Sequence, residues 1–78
     1  MTKQDHRAMD ETRRLILDAL EAAPAGLTRT QICETIQRRK TPHLIEIIEA
    51  LVNEGYLTRY VKVFGNGVEG YLYVFQRD

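Results

Sequence analysis

The change in hydrophobic spacing after Gly55 is the feature of this sequence that most limits the fold. Before Gly55, apolar residues recur every three or four positions, which is the spacing of a helix that buries one face. After Gly55, β-branched and aromatic residues fill 57–64 and 71–75, and such residues favour strands. The sequence therefore predicts an α+β fold, with helices first and a hairpin after them.

The first predicted helix has a stripe that begins close to the N-terminus. Its members are Met9, Thr12, Ile16, Leu20 and Ala23. The Pro-Ala-Gly run at 24–26 then ends the helix. Because the stripe includes Met9, residues 1–9 are either a polar arm or an upstream extension of this helix.

The second predicted helix has a capping box at its start. Thr28 is a suitable N-cap, and Gln31 stands three residues later, where its side chain can bond back to the N-cap backbone. The helix is expected to run from about 29 to 39, with Ile32, Cys33 and Ile36 facing inward.

The third predicted helix begins with Thr41 as N-cap and Pro42 at its first position, where the missing amide proton costs nothing. Its apolar stripe consists of Leu44, Ile47, Ile48 and Leu51. Gly55 supplies the left-handed residue that ends it.

The predicted hairpin has its turn at Gly65, Asn66 and Gly67, with a loop longer than two residues. Both of its faces are apolar by alternation. One face is expected to cover the helices. The other is expected to expose aromatic rings, which either bind a partner or are partly covered by the N-terminal segment or turn their tyrosine hydroxyls to water.

The sequence resembles the winged helix-turn-helix family over 10–75. Two segments carry the resemblance. The first is 25–28, which leads into the second helix. The second is 51–57, which leads out of the third helix and has the pattern of a leucine, any three residues, a glycine and two hydrophobic residues. It implies a three-helix helix-turn-helix core followed by a two-stranded antiparallel wing. It also implies one domain at 10–78, with helix 41–54 as recognition helix and hairpin 57–75 as wing.

The same resemblance implies a set of residues that contact duplex DNA. The start of the recognition helix would meet base edges, and basic residues around it would meet phosphates. The first group is Thr41, Pro42, His43, Ile45 and Glu46. The second group is Arg29, Thr30, Arg38, Arg39, Lys40, Arg59, Lys62 and Asn66.

The charges of the chain weigh against tight DNA binding. Eleven basic residues balance eleven acidic ones, so any attraction to DNA must come from their distribution. A helical projection puts Glu46 and Glu49 opposite the apolar stripe of the third helix. Glutamate can accept a hydrogen bond from cytosine, but carboxylates close to phosphates cost electrostatic energy.

Three functions agree with these patterns. The first is a homodimeric transcription regulator that binds double-stranded DNA and dimerises through helix one, the outer hairpin face or both. The second is a winged-helix module that docks another protein, with weak or no DNA binding. The third is an RNA or single-strand binder that uses Tyr60, Phe64 and Tyr73 as stacking platforms.

Catalysis, metals, cofactors and membranes have no support in the sequence. The chain of 78 residues has room for one core, and it contains no serine. Cys33 has no histidine at a spacing that indicates catalysis or a zinc site. The lone cysteine, the lack of a signal-like apolar run and the lack of a membrane-length apolar segment predict a cytoplasmic protein that is not an enzyme.

Overall fold

The computed structural model of the chain describes residues 10–77. Their order confirms the α+β class, with three helices followed by a hairpin. The helices are α1 (Glu11–Glu21), α2 (Arg29–Ile36) and α3 (Pro42–Asn53), and the strands are β1 (Leu27–Thr28), β2 (Leu57–Val63) and β3 (Glu69–Phe75). The predicted arm at 1–9 and the stripe residue Met9 lie outside the described residues.

Each helix begins at a side chain that accepts a hydrogen bond from the first turn. Thr28 and Gln31 form the predicted capping box of α2. Thr41 caps α3, with Pro42 at the first helical position as predicted. Asp10 caps α1 and has an extended backbone, so α1 begins at Glu11.

The second helix ends three residues earlier than predicted. Gln37 has a φ of 59°, in the left-handed region, which ends α2 at Ile36 instead of Arg39. Two backbone bonds close this end, from the Arg38 N–H to the Cys33 carbonyl (3.0 Å) and from the Gln37 N–H to the Glu34 carbonyl (3.2 Å). The segment 38–40 is therefore an irregular connection and not the last turn of a helix.

The sheet has three strands, where the sequence predicts two. The strands lie in the order β1-β3-β2, and all pairs are antiparallel. Strand β1 pairs Leu27 with Tyr73, next to Gly26, which has a φ of 90°. A Cβ at Gly26 would lie 2.8 Å from the Tyr73 carbonyl oxygen. This close approach joins the connection between α1 and α2 to the hairpin.

The hairpin has the predicted long loop, with residues 64–68 between its strands. Leu57 pairs with Phe75 at one end, and Val63 pairs with Glu69 at the other. Leu57, Tyr73 and Phe75 lie on the face that packs on the helices and are buried. The predicted use of Tyr73 as a stacking platform for a single strand is therefore wrong, because its ring is buried on the face that covers the helices. Tyr60, on the opposite face, is 53% exposed.

The core lies between the three helices and the inner face of the sheet. It joins the predicted stripes of all three helices to the base of the hairpin. Its buried members are Ile16, Leu17, Leu20, Ile32, Cys33, Ile36, Leu44, Ile48, Leu51, Leu57, Tyr73 and Phe75.

Candidate nucleic-acid interface

The start of α3 presents a short polar surface. Pro42, His43 and Glu46 are exposed, while Thr41 and Ile45 are partly buried. The Thr41 hydroxyl accepts a hydrogen bond from the Leu44 N–H at 3.1 Å, so it stabilises the helix and keeps the exposed residues in a fixed first turn.

The basic segment 38–40 leads directly into this helix start. All three of its side chains are exposed. Nη2 of Arg38 lies 3.6 Å from a carboxylate oxygen of Glu11 at the start of α1, a contact that is worth little in water. Lys40 Nζ donates a hydrogen bond to Thr30 Oγ1 at 3.2 Å. No ion pair joins Arg39 to another residue within 10–77.

Seven of the thirteen predicted contact residues line one of two hollows. The smaller hollow has a volume of about 290 Å³, and its lining includes Arg38, Arg39, Thr41 and His43. The larger has a volume of about 470 Å³ and lies between the start of α2 and the loop end of the hairpin. Its lining residues are Thr28, Arg29, Thr30, Lys40, Phe64, Glu69, Gly70 and Tyr71.

The three predicted contact residues of the hairpin, Arg59, Lys62 and Asn66, line neither hollow. The Lys62 ammonium is 5.8 Å from the centroid of the Phe64 ring, close enough for a cation–π contact. Asn66 is at the exposed hairpin tip, where its side-chain oxygen accepts a hydrogen bond from the Val68 N–H at 3.0 Å. The structure therefore gives Asn66 a local role in shaping the loop.

Glu49 is held inside a hydrogen-bonded cluster, where the helical projection predicts an outward acid. Its Oε2 accepts hydrogen bonds from Arg29 Nη2 at 2.9 Å and from the Tyr73 hydroxyl. Its Oε1 accepts one from Arg59. Arg29 Nε also donates to the Tyr73 hydroxyl at 2.8 Å. The prediction that Glu49 faces outward is wrong, because the hairpin packs over this flank of α3. We call Arg29, Glu49, Arg59 and Tyr73 the Glu49 cluster.

The Glu49 cluster changes the acidity of its members. Burial acts to raise the pKa of Glu49, but the hydrogen bonds from Tyr73 and Arg29 and the charge of Arg59 outweigh it and lower that pKa. Burial, together with the Glu49 carboxylate, raises the pKa of Tyr73 to about 12. Burial acts to lower the pKa of Arg29, yet its bonds to Glu49 and Tyr73 raise it. The cluster therefore holds a carboxylate, a neutral phenol and two guanidinium groups at neutral pH.

The ring of Tyr71 lies against the same two arginines. The guanidinium carbons of Arg29 and Arg59 are 4.9 and 4.6 Å from the ring centroid, which is within the range of cation–π attraction. Arg29 and Arg59, both predicted to contact phosphates, are thus held by the Glu49 carboxylate and by the Tyr71 ring. No local spacing in the sequence connects positions 29, 49, 59 and 73, so sequence reasoning missed this cluster.

Other candidate chemistry in the chain is weak. Cys33 is buried as predicted, and burial raises the pKa of its thiol, which keeps it protonated. No group of three His, Cys, Asp or Glu side chains within 10–77 is placed to hold a metal ion. None of the helices described is both long enough and apolar enough to span a membrane.

Comparison with known proteins gave no match to this chain among family models, curated proteins or solved structures.

Proposed function

We propose that this protein is a winged-helix protein that binds duplex DNA, with α3 as recognition helix and the β2–β3 hairpin as wing. The observation that carries the proposal is the exposed basic segment 38–40, which leads straight into the capped, exposed first turn of α3. A helix start that is flanked by cations suits the major groove, because base edges and phosphates are then within reach together.

The internal pairing of Glu49 removes one of the two acids that would repel DNA. Arg29 and Arg59 both contact its carboxylate, so its charge is compensated within the protein. Glu46 is the acid of α3 that remains exposed. The electrostatic cost of placing α3 close to phosphates is therefore smaller than the sequence predicts.

Because Arg29 and Arg59 pair with Glu49, we expect other cations to make the main phosphate contacts. Arg29 and Arg59 are engaged with Glu49 and Tyr71. Arg38, Arg39, Lys40 and Lys62 are exposed and bear the main electrostatic contribution in this proposal. About four phosphate contacts are enough for weak, salt-sensitive binding to any sequence. A homodimer would double the contacts on a symmetric site, and we propose that the protein acts in this form as a cytoplasmic transcription regulator.

A pair of single arginine substitutions tests the assignment. Arg39→Gln removes a cation close to the start of α3, and Arg77→Gln removes one that donates to the Glu21 carbonyl at the C-terminal end of α1. The two arginines lie at opposite ends of α1. Arg38, the neighbour of Arg39, contacts Glu11 at the N-terminal end, and the ten-residue step from Glu11 to Glu21 spans about 15 Å of helix. We expect Arg39→Gln to weaken binding to random-sequence duplex several-fold and to reduce its salt dependence, and Arg77→Gln to do neither. Equal effects of the two variants would contradict the assignment.

Docking to another protein is the second candidate function. It is favoured by the zero net charge of the chain and by the exposed apolar side chains of the hairpin, Tyr60, Val61, Val63 and Val68. Under this function Arg39→Gln leaves DNA binding unchanged, because there is none to lose. The two candidates are therefore separated by the same titration.

A further inference from the structure

The free edge of β2 is a surface on which a second strand could pair. Within residues 10–77, β2 is at the edge of the sheet and pairs only with β3. Val61 and Val63 on this strand are 66% and 63% exposed. An edge strand with apolar side chains is a template for pairing with another strand, and proteins usually protect such edges with charges, prolines or bulges.

The two cations of the strand do not protect this edge. Arg59 is turned onto Glu49 and Tyr71. The Lys62 ammonium lies over the ring of Phe64 in the same hairpin. Both side chains are therefore held by their own chain, and no proline or bulge interrupts 57–63.

The hydrogen bonds at both ends of the hairpin show which backbone groups of β2 are open. The Gln76 N–H donates to the Tyr56 carbonyl at 2.8 Å, and the Phe64 N–H donates to the Val68 carbonyl at 2.9 Å. In an antiparallel pair, hydrogen-bonded and non-hydrogen-bonded positions alternate. The even-numbered residues of β2 thus bond to β3, and the peptide groups of Arg59, Val61 and Val63 point away from it.

One antiparallel register joins this edge to the same edge of a second copy. A two-fold axis at Val61 places Val61 opposite its own counterpart and Arg59 opposite Val63. On the other face it places the uncharged Tyr60 opposite Lys62. No two like charges stand opposite each other in this register, which satisfies the main electrostatic condition for strand pairing.

We propose that two copies of this chain pair through their β2 edges around a two-fold axis at Val61, forming one continuous six-stranded sheet. The exposed valines of both copies then cover each other on one face. This assignment replaces helix one and the outer hairpin face as the dimer surface. The paired strand includes Lys62 of the proposed DNA contacts, but the tests below measure protein–protein contact alone, so a failure of this pairing is distinguishable from a failure of DNA binding.

Cysteine cross-linking of the full chain tests the register. Residues opposite each other in a hydrogen-bonded pair have Cα atoms about 5.5 Å apart, which suits a disulfide. Val61→Cys is therefore expected to form a covalent dimer under mild oxidation. The equally exposed Val63→Cys is the control, because the two copies of position 63 would be four residues out of register, about 14 Å apart along the strands. Efficient cross-linking of Val63→Cys in place of Val61→Cys would overturn the register.

A charge placed at the axis tests the surface without a cross-link. The wild-type chain should sediment as a dimer in analytical ultracentrifugation at high concentration. Val61→Lys puts two cations opposite each other and should give a monomer with an unchanged circular dichroism spectrum. Val68→Lys puts the same charge on the hairpin loop, where Val68 is 57% exposed, and should remain a dimer. A monomeric wild type, or a Val61→Lys variant that stays dimeric and folded, would overturn the proposal.

Discussion

The carboxylate of Glu49 accepts a hydrogen bond from Arg29 Nη2 at 2.9 Å, and this contact joins the middle of α3 to the start of α2. Arg59 of β2 and Tyr73 of β3 bind the same carboxylate. One side chain of α3 thus holds both the neighbouring helix and both strands of the hairpin. The orientation of the hairpin relative to α3, on which the proposed DNA contacts depend, follows from this arrangement.

Glu49→Gln is expected to destabilise the fold. It leaves two arginines without their carboxylate in a partly buried position, which costs about 1–3 kcal/mol. A loss of this size lowers the midpoint of thermal unfolding by several degrees in a domain of this length.

Glu46→Gln is the matched control for that loss of stability, because it removes the same charge from the same helix. No hydrogen bond or ion pair joins Glu46 to another residue of 10–77, so its stability should change by less than about 0.5 kcal/mol. Its affinity for duplex DNA should rise, because an exposed acid close to phosphates is removed. If Glu46→Gln destabilised the protein as much as Glu49→Gln, the role given to the Glu49 cluster would be wrong.

Acid unfolding should depend on Glu49. Its pKa is lowered from the ordinary value of 4.5, so the folded state binds this proton less readily than the unfolded state does. The stability that Glu49 contributes is therefore present above pH 4.5 and is lost as the pH falls below it. Thermal melts of wild type and Glu49→Gln should differ most at neutral pH and converge in acid. A difference that stays constant down to low pH would contradict this account.

Alkaline unfolding should depend on Tyr73. Its pKa is raised from the ordinary 10.0 to about 12. The stability that the neutral hydroxyl contributes to the fold is therefore fully present below pH 10 and is lost as the pH rises towards 12. Tyr73→Phe keeps the ring in the core but removes the hydroxyl that bonds to Glu49 and Arg29. This variant should be less stable than wild type by about 1 kcal/mol at neutral pH. It should not show the loss of stability between pH 10 and 12 that the ionisation of Tyr73 causes in wild type. The measurement is chemical denaturation of both proteins across this pH range.

Gly26→Ala should be much more damaging than Gly67→Ala. Both glycines have positive φ values, 90° and 82°, so an alanine is strained at either position, by about 1 kcal/mol. A Cβ at Gly26 would also lie 2.8 Å from the Tyr73 carbonyl oxygen, whereas at Gly67 it would meet no atom within 4 Å. The two variants therefore share the backbone strain and differ in the clash with β3. Equal midpoints of thermal unfolding would contradict the close approach of Gly26 to β3.

The sequence was sufficient for the features that depend on local chemistry. The caps at Thr28 and Thr41, the proline at the start of α3 and the glycine after it are determined by neighbouring residues, and all are confirmed. The early end of α2 at Ile36 was missed because Gln37 adopts a left-handed backbone, which glutamine rarely does.

The features that depend on tertiary packing were not predictable. Strand β1 has two residues, too few for any periodicity. Alternation in the hairpin shows that Tyr73 and Phe75 share a face, but it does not show which face packs on the helices. Glu49 was assigned to the outward face because a helical projection has no information about a hairpin that packs beside the helix. The contact residues at the start of α3 and in 38–40 stay a prediction.

Titration of the wild-type chain against labelled random-sequence duplex DNA, at about 50 and 200 mM salt, tests DNA binding most directly. Fluorescence anisotropy should show binding at the lower salt. With about four phosphate contacts, the affinity should fall about 100-fold at the higher salt. No binding at the lower salt, or binding that does not respond to salt, would contradict the proposal that this protein binds duplex DNA.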